Sequence, residues 1–145
     1  MATAIEKMRT NYIKFADKSV FEKFKNIVNN VCISEDDGAK VYTKDTNDGL
    51  IHAMFCANGA ILGYSDDSED PEYDYDAFVH DLQTVIPDGE ALLIYTVGFE
   101  KLRYVYGDCD VVTNKEWKNV SLEDTALEIA KQLLNDPEWT TQSSY

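Results

Sequence analysis

The chain has 145 residues and a formal net charge of −14, and 44% of its residues are hydrophobic and 12% aromatic. This length fits one domain with a substantial core, and the apolar content exceeds that of a disordered acidic chain. The N-terminal residues lack a signal-peptide pattern, and no apolar run reaches the roughly 18 residues that span a bilayer. Three widely spaced cysteines are typical of free thiols in a reducing compartment. We therefore expect a soluble, cytoplasmic protein with no membrane contact.

The negative charge is concentrated in the middle of the chain. Residues 1–44 contain 8 Lys/Arg and 6 Asp/Glu, whereas residues 45–100 contain 13 Asp/Glu and no Lys or Arg. Residues 101–145 contain 5 Lys/Arg and 8 Asp/Glu. Such a surface repels nucleic acid phosphates and anionic membranes, and it attracts basic proteins. We expect no direct binding to nucleic acid, and we expect the partner to be a basic protein surface or a second copy of the chain.

Residues 1–31 are predicted to form two helical pieces with a basic exposed face. Apolar residues recur there at helical spacing. They are Ile5, Met8, Tyr12 and Phe15 in the first piece, and Phe21, Phe24, Ile27 or Val28, and Val31 in the second. Ser19, followed three residues later by Glu22, matches a capping box at the start of the second piece.

Residues 39–65 are predicted to form a three-stranded meander. The strands "AKVYTKD" and "LIHAMFCA" are joined by "TNDG", in which Asp48-Gly49 favours a tight hairpin. Asn58-Gly59 marks a second turn before "AILGYS". Both faces of "LIHAMFCA" are apolar, which is typical of a central strand that is covered on both sides.

A helix, a second meander and a C-terminal helix are predicted to follow. The segment "YDAFVHDLQTVI" has a modest apolar stripe, with Asp74 or Asp76 as its N-cap. The segments "ALLIYTVGF", "KLRYVYG" and "CDVVTN" read as strands. Ser121 and Asp124 match the start of a helix over residues 121–136, which has a continuous apolar face.

Together these elements predict a single α+β domain over residues 1–145. Its sheet is expected to be mainly antiparallel and built from two meanders. An N-terminal helical region, a middle helix and a C-terminal helix are expected to pack against it, in the order α-βββ-α-βββ-α.

The segment "DDSEDPEYDYD" at residues 66–76 is predicted to be an exposed acidic loop. Seven of its eleven residues are acidic and two are tyrosines. Counted from Asp70, acidic residues fall at five ligand positions of an EF-hand loop, namely 1, 3, 5, 7 and 12. However, Tyr75 stands where that loop needs glycine, and Asp81 stands where it needs a bidentate glutamate. We therefore predict no metal site and no cofactor.

The usual catalytic groups are sparse, which favours a non-catalytic protein. His52 and Cys56 would lie ~13 Å apart along one strand, too far for a nucleophile and its base, and we expect both in the core. No catalytic residue is predicted. The alternative is a small-ligand site or an active site between the sheet and the helices, built from Tyr42, His52, Tyr95 and Tyr104.

The acidic loop is predicted to be the contact surface for a partner, with tyrosines as anchors and carboxylates that steer the encounter. The predicted contact residues are Asp66, Asp67, Glu69, Asp70, Glu72, Tyr73, Asp74, Tyr75 and Asp76, with Asp81 and Asp88 beside them. This pattern predicts a protein-interaction module, including an inhibitor of the nucleic-acid-mimic type that phages encode. The alternatives are a structural or assembly subunit, and a solvated loop that only keeps the protein in solution.

Overall fold

The computed structural model describes residues 5–35, 37–100 and 104–141, without the side chain of Tyr104. Ten strands and three helices lie within these ranges. In chain order they are β1 (Ile5–Thr10), β2 (Ile13–Phe15), α1 (Lys18–Asn30), β3 (Cys32–Ile33), β4 (Lys40–Lys44), β5 (Ile51–Ala57), β6 (Ile61–Ser65), β7 (Tyr73–Asp74), α2 (Tyr75–Gln83), β8 (Leu92–Glu100), β9 (Tyr104–Val112), β10 (Trp117–Ser121) and α3 (Leu122–Leu134). No helix in the described part of the chain is long and apolar enough to cross a membrane.

The strands form one large antiparallel sheet and one small one. The large sheet has the order β10-β9-β8-β1-β5-β2, and β4 pairs with the other edge of β5. The small sheet has the order β3-β6-β7. The chain is therefore an α+β domain with a mainly antiparallel sheet, as the sequence predicts.

Helices α1 and α2 cover one face of the large sheet. Their buried side chains recur at helical spacing, so each helix presents one apolar stripe to the sheet. These side chains are Phe21, Phe24 and Val28 in α1, and Phe78, Val79 and Leu82 in α2. The Phe24, Phe55 and Phe78 rings meet at centroid distances of 5.8 and 6.4 Å, which ties both helices to β5. The hydrophobic core lies in this layer.

The opposite face of the large sheet is largely uncovered, and we call it the open face. Residues that pair directly across an antiparallel sheet point to the same side, and neighbours along a strand point to opposite sides. Thr10 and Ile94 form a buried pair, so the next pair, Arg9 and Tyr95, points to the open face. Helix α3 covers only one end of this face, where it packs on β9 and β10.

The predicted helix over the first part of residues 1–31 is wrong, because the structure has β1 and β2 there. Burial in β1 alternates at its end, with Met8 and Thr10 buried. Strand β1 lies between β8 and β5, so it supplies the centre of the sheet. In so short a segment, apolar positions three or four residues apart fit a helix and two short strands equally well, and tertiary pairing decides between them.

The cap of the second N-terminal piece also differs from the prediction. Helix α1 begins one residue after Asp17, whose carboxylate accepts hydrogen bonds from the Ser19 N–H and hydroxyl at 2.8 Å. Asp17 is therefore the N-cap, and Ser19 lies inside the first turn. The Asp17 pKa is lowered, first because the Ser19 hydroxyl donates to the carboxylate. The helix of residues 18–30 is otherwise where the sequence places it.

The remaining elements confirm most of the predicted order. Strands β4 and β5 form the hairpin expected at Gly49, which has a φ of 76°. Strand β6 does not extend that meander, because it pairs with β3 and β7 in the small sheet. Strands β8, β9 and β10 form a second meander, but its strands differ from the predicted ones. The single strand β9 contains parts of both "KLRYVYG" and "CDVVTN", and β10 is a strand that the sequence does not predict. Ser121 caps α3, and the left-handed Asn135 ends it within the predicted range of 121–136.

Candidate functional site

The acidic segment forms a hairpin that connects β6 to β7, and we call residues 66–76 the acidic hairpin. Its base is fixed by the pairs Tyr64 with Asp74 and Ser65 with Tyr73. The Asp66 N–H donates to the Glu72 carbonyl at 3.2 Å, which closes the loop above those pairs. The segment is therefore a hairpin loop, and strand pairs of the small sheet hold its ends.

The turn at the start of the acidic hairpin is ordered by its own polar groups. The Ser68 N–H and hydroxyl donate to the Asp66 carboxylate at 3.1 and 2.8 Å. These bonds favour the ionised carboxylate, and the Ser68 hydroxyl is the main reason that the Asp66 pKa is lowered. The Ser65 hydroxyl accepts from the Asp67 N–H at 3.0 Å, and Asp67 has the left-handed φ of 61°. Asp66 therefore keeps its negative charge into mildly acidic solution.

The carboxylates of the loop face solvent and form no ion pair with any cation in the described part of the chain. The exposed residues are Asp66, Asp67, Glu69, Asp70 and Glu72. None of them forms an ion pair with a Lys or Arg in the described ranges, where the Lys pairs are Lys25–Glu22 and Lys131–Glu128. The negative charge of the acidic hairpin is thus directed toward solvent, where salt ions screen it.

The second half of the segment is tied to α2. Asp74 is the N-cap of α2, and its carboxylate accepts from the Ala77 N–H at 2.9 Å. Asp76 is exposed in the first turn of α2, where a negative charge faces the positive end of the helix dipole. Tyr73 is 41% exposed and is the tyrosine of this segment that a partner can reach.

Tyr75 packs into the body of the protein instead of projecting from the hairpin. Its ring contacts those of Phe78 and Trp117 at centroid distances of 6.1 and 5.8 Å. Its hydroxyl donates to the Asp110 carboxylate at 2.6 Å, and the indole N–H of Trp117 donates to the same carboxylate at 3.1 Å. Burial, with the Asp110 hydrogen bond, raises the Tyr75 pKa well above its usual value. Tyr75 therefore anchors the hairpin to the domain and is not available as a partner anchor.

The two acidic neighbours of the hairpin also have local partners. The Asp81 carboxylate accepts from the Tyr64 hydroxyl at 2.7 Å, and burial of Tyr64 together with this bond raises the Tyr64 pKa. Asp88 accepts from the Asn114 side-chain amide at 2.5 Å. Asp81 is exposed on α2 close to β6, whereas Asp88 belongs to the turn that precedes β8.

Among the described residues, no hydrogen bond joins a histidine to a cysteine. His52 is buried, and its Nε2 lies 2.7 Å from the Asp48 carboxylate. The Asp48 pKa is lowered, first by the Thr46 hydroxyl, then by the Leu50 N–H and by His52. Cys56 is half-buried on the same strand face, and His80 is exposed on α2. His52 and Cys56 thus share a face of β5, as the sequence predicts, but the face is the open one and not the core.

A cleft of about 510 Å³ lies on the open face, and we call it the open-face cleft. Its lining includes three cations from two strands, Lys7 and Arg9 in β1 and Lys40 in β4. Tyr42 and Tyr95 line it as well, so it contains two of the four predicted pocket residues. However, it lies on the open face and not between the sheet and the helices, so the predicted location of the pocket is wrong. His52 is not among the lining residues, and the side chain of Tyr104 lies outside the described residues.

The sequence does not predict this cleft, because residues 5–10 are predicted as part of a helix and not as β1. In a strand, Lys7 and Arg9 share a face, and so do Lys40 and Tyr42 in β4. The alternation of cations with apolar residues in "IEKMRT" and "KVYTK" is the signal that could have found it.

A second, smaller groove lies beside α3. It has a volume of about 330 Å³ and is lined by Val105, Trp139 and the side chains along one face of α3. Several apolar side chains of α3 are exposed, and Leu133 is 82% exposed. None of the residues of α3 is buried, so this helix contributes less to the core than α1 and α2 do.

Within the described ranges, no group of three or more His, Cys, Asp or Glu side chains is placed to hold a metal ion. Comparison with protein-family models, with curated proteins and with solved structures finds no significant match to this chain.

Proposed function

We propose that this protein is a non-catalytic protein-interaction module that binds a basic partner through the acidic hairpin. The observation that carries this proposal is the row of exposed carboxylates, which form no ion pair within the described ranges, on a loop whose two ends are fixed. Because β7, the Asp74 cap and the Tyr75 packing hold the loop in place, binding orders few additional groups.

The chemistry of the surface favours a partner rich in arginine or lysine. Five exposed carboxylates lie between Asp66 and Glu72, and arginine pairs with carboxylates through two parallel hydrogen bonds. Such charges raise the association rate and exclude acidic competitors. Tyr73, at the base of the loop, offers an amphipathic ring of the kind that is enriched at interface hot spots. An inhibitor that occupies the phosphate groove of a nucleic-acid enzyme is one form of this function.

A quantitative pull-down from a lysate of the native host tests the proposal. The wild type is compared with a hairpin variant in which five carboxylates become amides: D66N, D67N, E69Q, D70N and E72Q. A control variant loses the same charge at exposed positions elsewhere: E35Q, D45N, E116Q, E128Q and E138Q. Both variants should remain folded, since none of the ten side chains is buried.

We expect a basic protein that the wild type and the control retain and the hairpin variant loses. The purified partner should bind more weakly at about 0.15 M salt than at about 0.01 M, because the Debye length falls from about 30 to about 8 Å. Equal recovery of the same proteins by the hairpin variant would show that the loop only interacts with solvent. Equal losses with both variants would show a response to net charge and not to the hairpin.

The second candidate function is assembly through self-association, which the exposed apolar face of α3 favours. Leu133 and Leu134 are 82% and 55% exposed, and the groove beside α3 is lined mainly by apolar residues. A second copy that pairs α3 with α3 would bury this surface. Sedimentation should then show a dimer that L133K/L134K dissociates. A wild type that is monomeric at tens of micromolar contradicts this candidate.

A further inference from the structure

Four residues that line the open-face cleft form a single row of paired residues across β4, β5, β1 and β8. Lys40 pairs with Cys56, Cys56 with Arg9, and Arg9 with Tyr95. Neighbouring strands lie about 4.8 Å apart, so Lys40 and Arg9 have backbones about 10 Å apart with only the Cys56 thiol between them. Lys7, two residues from Arg9, adds a third cation about 7 Å along the strand. The long side chains of all three can reach one small anion.

These cations have no carboxylate partner in the described part of the chain. The Lys7 ammonium donates to the Asn58 side-chain carbonyl at 2.6 Å, and the Arg9 Nε donates to the Thr10 carbonyl at 3.3 Å. Among the described lining residues, Asp37 is the acid at the cleft. A protein with a net charge of −14 thus keeps three cations together that form no ion pair with a described carboxylate.

Aromatic and apolar surface lies beside the cations. Tyr95 and Tyr42 are 44% and 50% exposed, and Val97 is 53% exposed on the same side of β8 as Tyr95. Tyrosine rings on a sheet provide stacking surfaces for planar ligands. The cleft therefore combines a place for an anionic group with a place for a flat ring.

We propose that the open-face cleft binds a small anion that carries a planar ring, of the class of a nucleoside monophosphate. The phosphate lies among Lys7, Arg9 and Lys40, and the ring packs against Tyr95, which pairs with Arg9. The volume of about 510 Å³ lies in the range of small-molecule sites. A free mononucleotide is favoured over a nucleic acid strand, because a long polyanion would meet the overall negative field of the protein at every phosphate outside the cleft.

This site is separate from the proposed partner surface, because no residue of the acidic hairpin lines the cleft. Failure of one proposal therefore leaves the other intact. The test uses the full chain, labelled with ¹⁵N and titrated with AMP, GMP, CMP and UMP in amide NMR spectra. Adenosine, inorganic phosphate and an eight-nucleotide oligoadenylate serve as partial or alternative ligands.

We expect at least one of the four nucleotides to bind with a Kd below about 1 mM, and at least about tenfold more tightly than adenosine or phosphate alone. The shifted amides should cluster on β1, the start of β4, the end of β5, and β8. The oligoadenylate should bind no more tightly per strand than the mononucleotide does. A tighter oligoadenylate with a strong salt dependence would overturn the preference for a free nucleotide.

Matched variants test which residues contact the phosphate of the ligand and which contact its ring. R9Q/K40Q should weaken nucleotide binding at least about tenfold, because it removes two charge-assisted contacts. Y95L keeps apolar bulk but removes the stacking surface, and it should weaken binding at least about fivefold. The control K18Q/K23Q removes two exposed cations from α1, on the other side of the sheet, and should leave the Kd within about twofold.

The rim carboxylate gives a gain-of-binding variant that misfolding cannot imitate. Asp37 is exposed at the cleft and repels an anionic ligand, so D37N should tighten binding about twofold to fivefold. Cys56 gives a local readout: a bound nucleotide should slow alkylation of Cys56 without slowing that of Cys32, which belongs to the small sheet.

No binding of any of the four nucleotides at about 1 mM would overturn the proposal. Amide chemical-shift changes that spread over Lys18, Lys23 and Lys25 on α1 would also overturn it, since they would indicate that the nucleotide is attracted to any surface cation. Equal weakening by K18Q/K23Q and R9Q/K40Q would do the same.

Discussion

Replacing Gly63 with alanine tests how the acidic hairpin is joined to the domain. Gly63 is buried in β6 with a φ of 121°, a conformation that residues with a Cβ rarely adopt. An alanine Cβ there would lie 2.6 Å from the Asp74 carbonyl carbon and 2.6 Å from the Tyr75 nitrogen. Both contacts are to backbone, at the junction of β7 and α2, so no side-chain rotation can relieve them.

The expected loss of stability has two parts. The disfavoured φ costs about 1–3 kcal/mol. Crowding in a packed region adds about 1–3 kcal/mol. The sum of about 2–6 kcal/mol is a large share of the roughly 5–15 kcal/mol that stabilises an average domain. With an m-value of about 2 kcal/mol per molar urea, the unfolding midpoint should fall by about 1–3 M.

Urea unfolding followed by tryptophan fluorescence measures this change, since Trp117 packs against Tyr75 close to the junction. The control is Gly49→Ala, because Gly49 has a φ of 76° but no atom within 4 Å of the added Cβ. It should lose about 1–2 kcal/mol, from the backbone conformation alone. If G63A were no less stable than G49A, the close contact between β6 and the start of α2 would be refuted.

Three further changes test the packing around the two proposed surfaces. Because the Tyr75 pKa is raised in the fold, the neutral phenol stabilises the protein fully below pH about 10, and this part of the free energy of unfolding should be lost at about 1.4 kcal/mol per pH unit above that pH. In urea unfolding at alkaline pH, Y75F should reduce the slope of stability against pH. An unchanged slope would contradict a raised Tyr75 pKa. Phe55→Ala removes the ring between α1 and α2 and should cost about 3–5 kcal/mol in urea unfolding, whereas a cost below about 1 kcal/mol would place the core elsewhere. Ser121→Ala removes the N-cap of α3, whose hydroxyl accepts from the Asp124 N–H at 3.3 Å, and should cost about 0.5–2 kcal/mol of stability. Ser121→Thr is the conservative control, and equal stability of the two variants would show that the cap adds nothing.

The elements that the sequence predicts well are those whose signals are local. Helix α3 has its cap, its apolar stripe and its end within one segment, and α2 is started by Asp74 as expected. The hairpin at Gly49 follows from a turn that needs a positive φ. In each case the residues that decide the structure lie within a few positions of one another.

The elements that the sequence predicts poorly depend on distant pairing. Strand β1 is a central strand because β8 and β5, some 50 to 90 residues away, pair with it. The same pairing places Arg9 beside Tyr95 and Cys56, so the open-face cleft could not be seen without it. Tyr75 illustrates the reverse case, because its acidic surroundings in sequence suggest exposure, whereas Asp110 and Trp117 hold it in the fold.

The charge pattern gains a different meaning once the sheet is known. In sequence, the basic N-terminal part and the acidic middle part look like complementary surfaces of one helix and one loop. In the fold, the cations Lys7, Arg9 and Lys40 lie on the open face, and the carboxylates of residues 66–72 lie on a loop of the small sheet. Neither group forms an ion pair among the described residues, so the charges of each remain available to an external ligand.

This arrangement predicts two independent surfaces, which a double variant tests directly. Amide substitution of the five hairpin carboxylates should abolish partner binding and change the nucleotide Kd by less than about threefold, through long-range charge alone. R9Q/K40Q should do the opposite, and the combined variant should show the product of the two separate effects on each ligand. If the partner occupied the open-face cleft as well, R9Q/K40Q would weaken partner recovery, and nucleotide would compete with the partner. Loss of both activities from either variant alone would therefore show one continuous site in place of two.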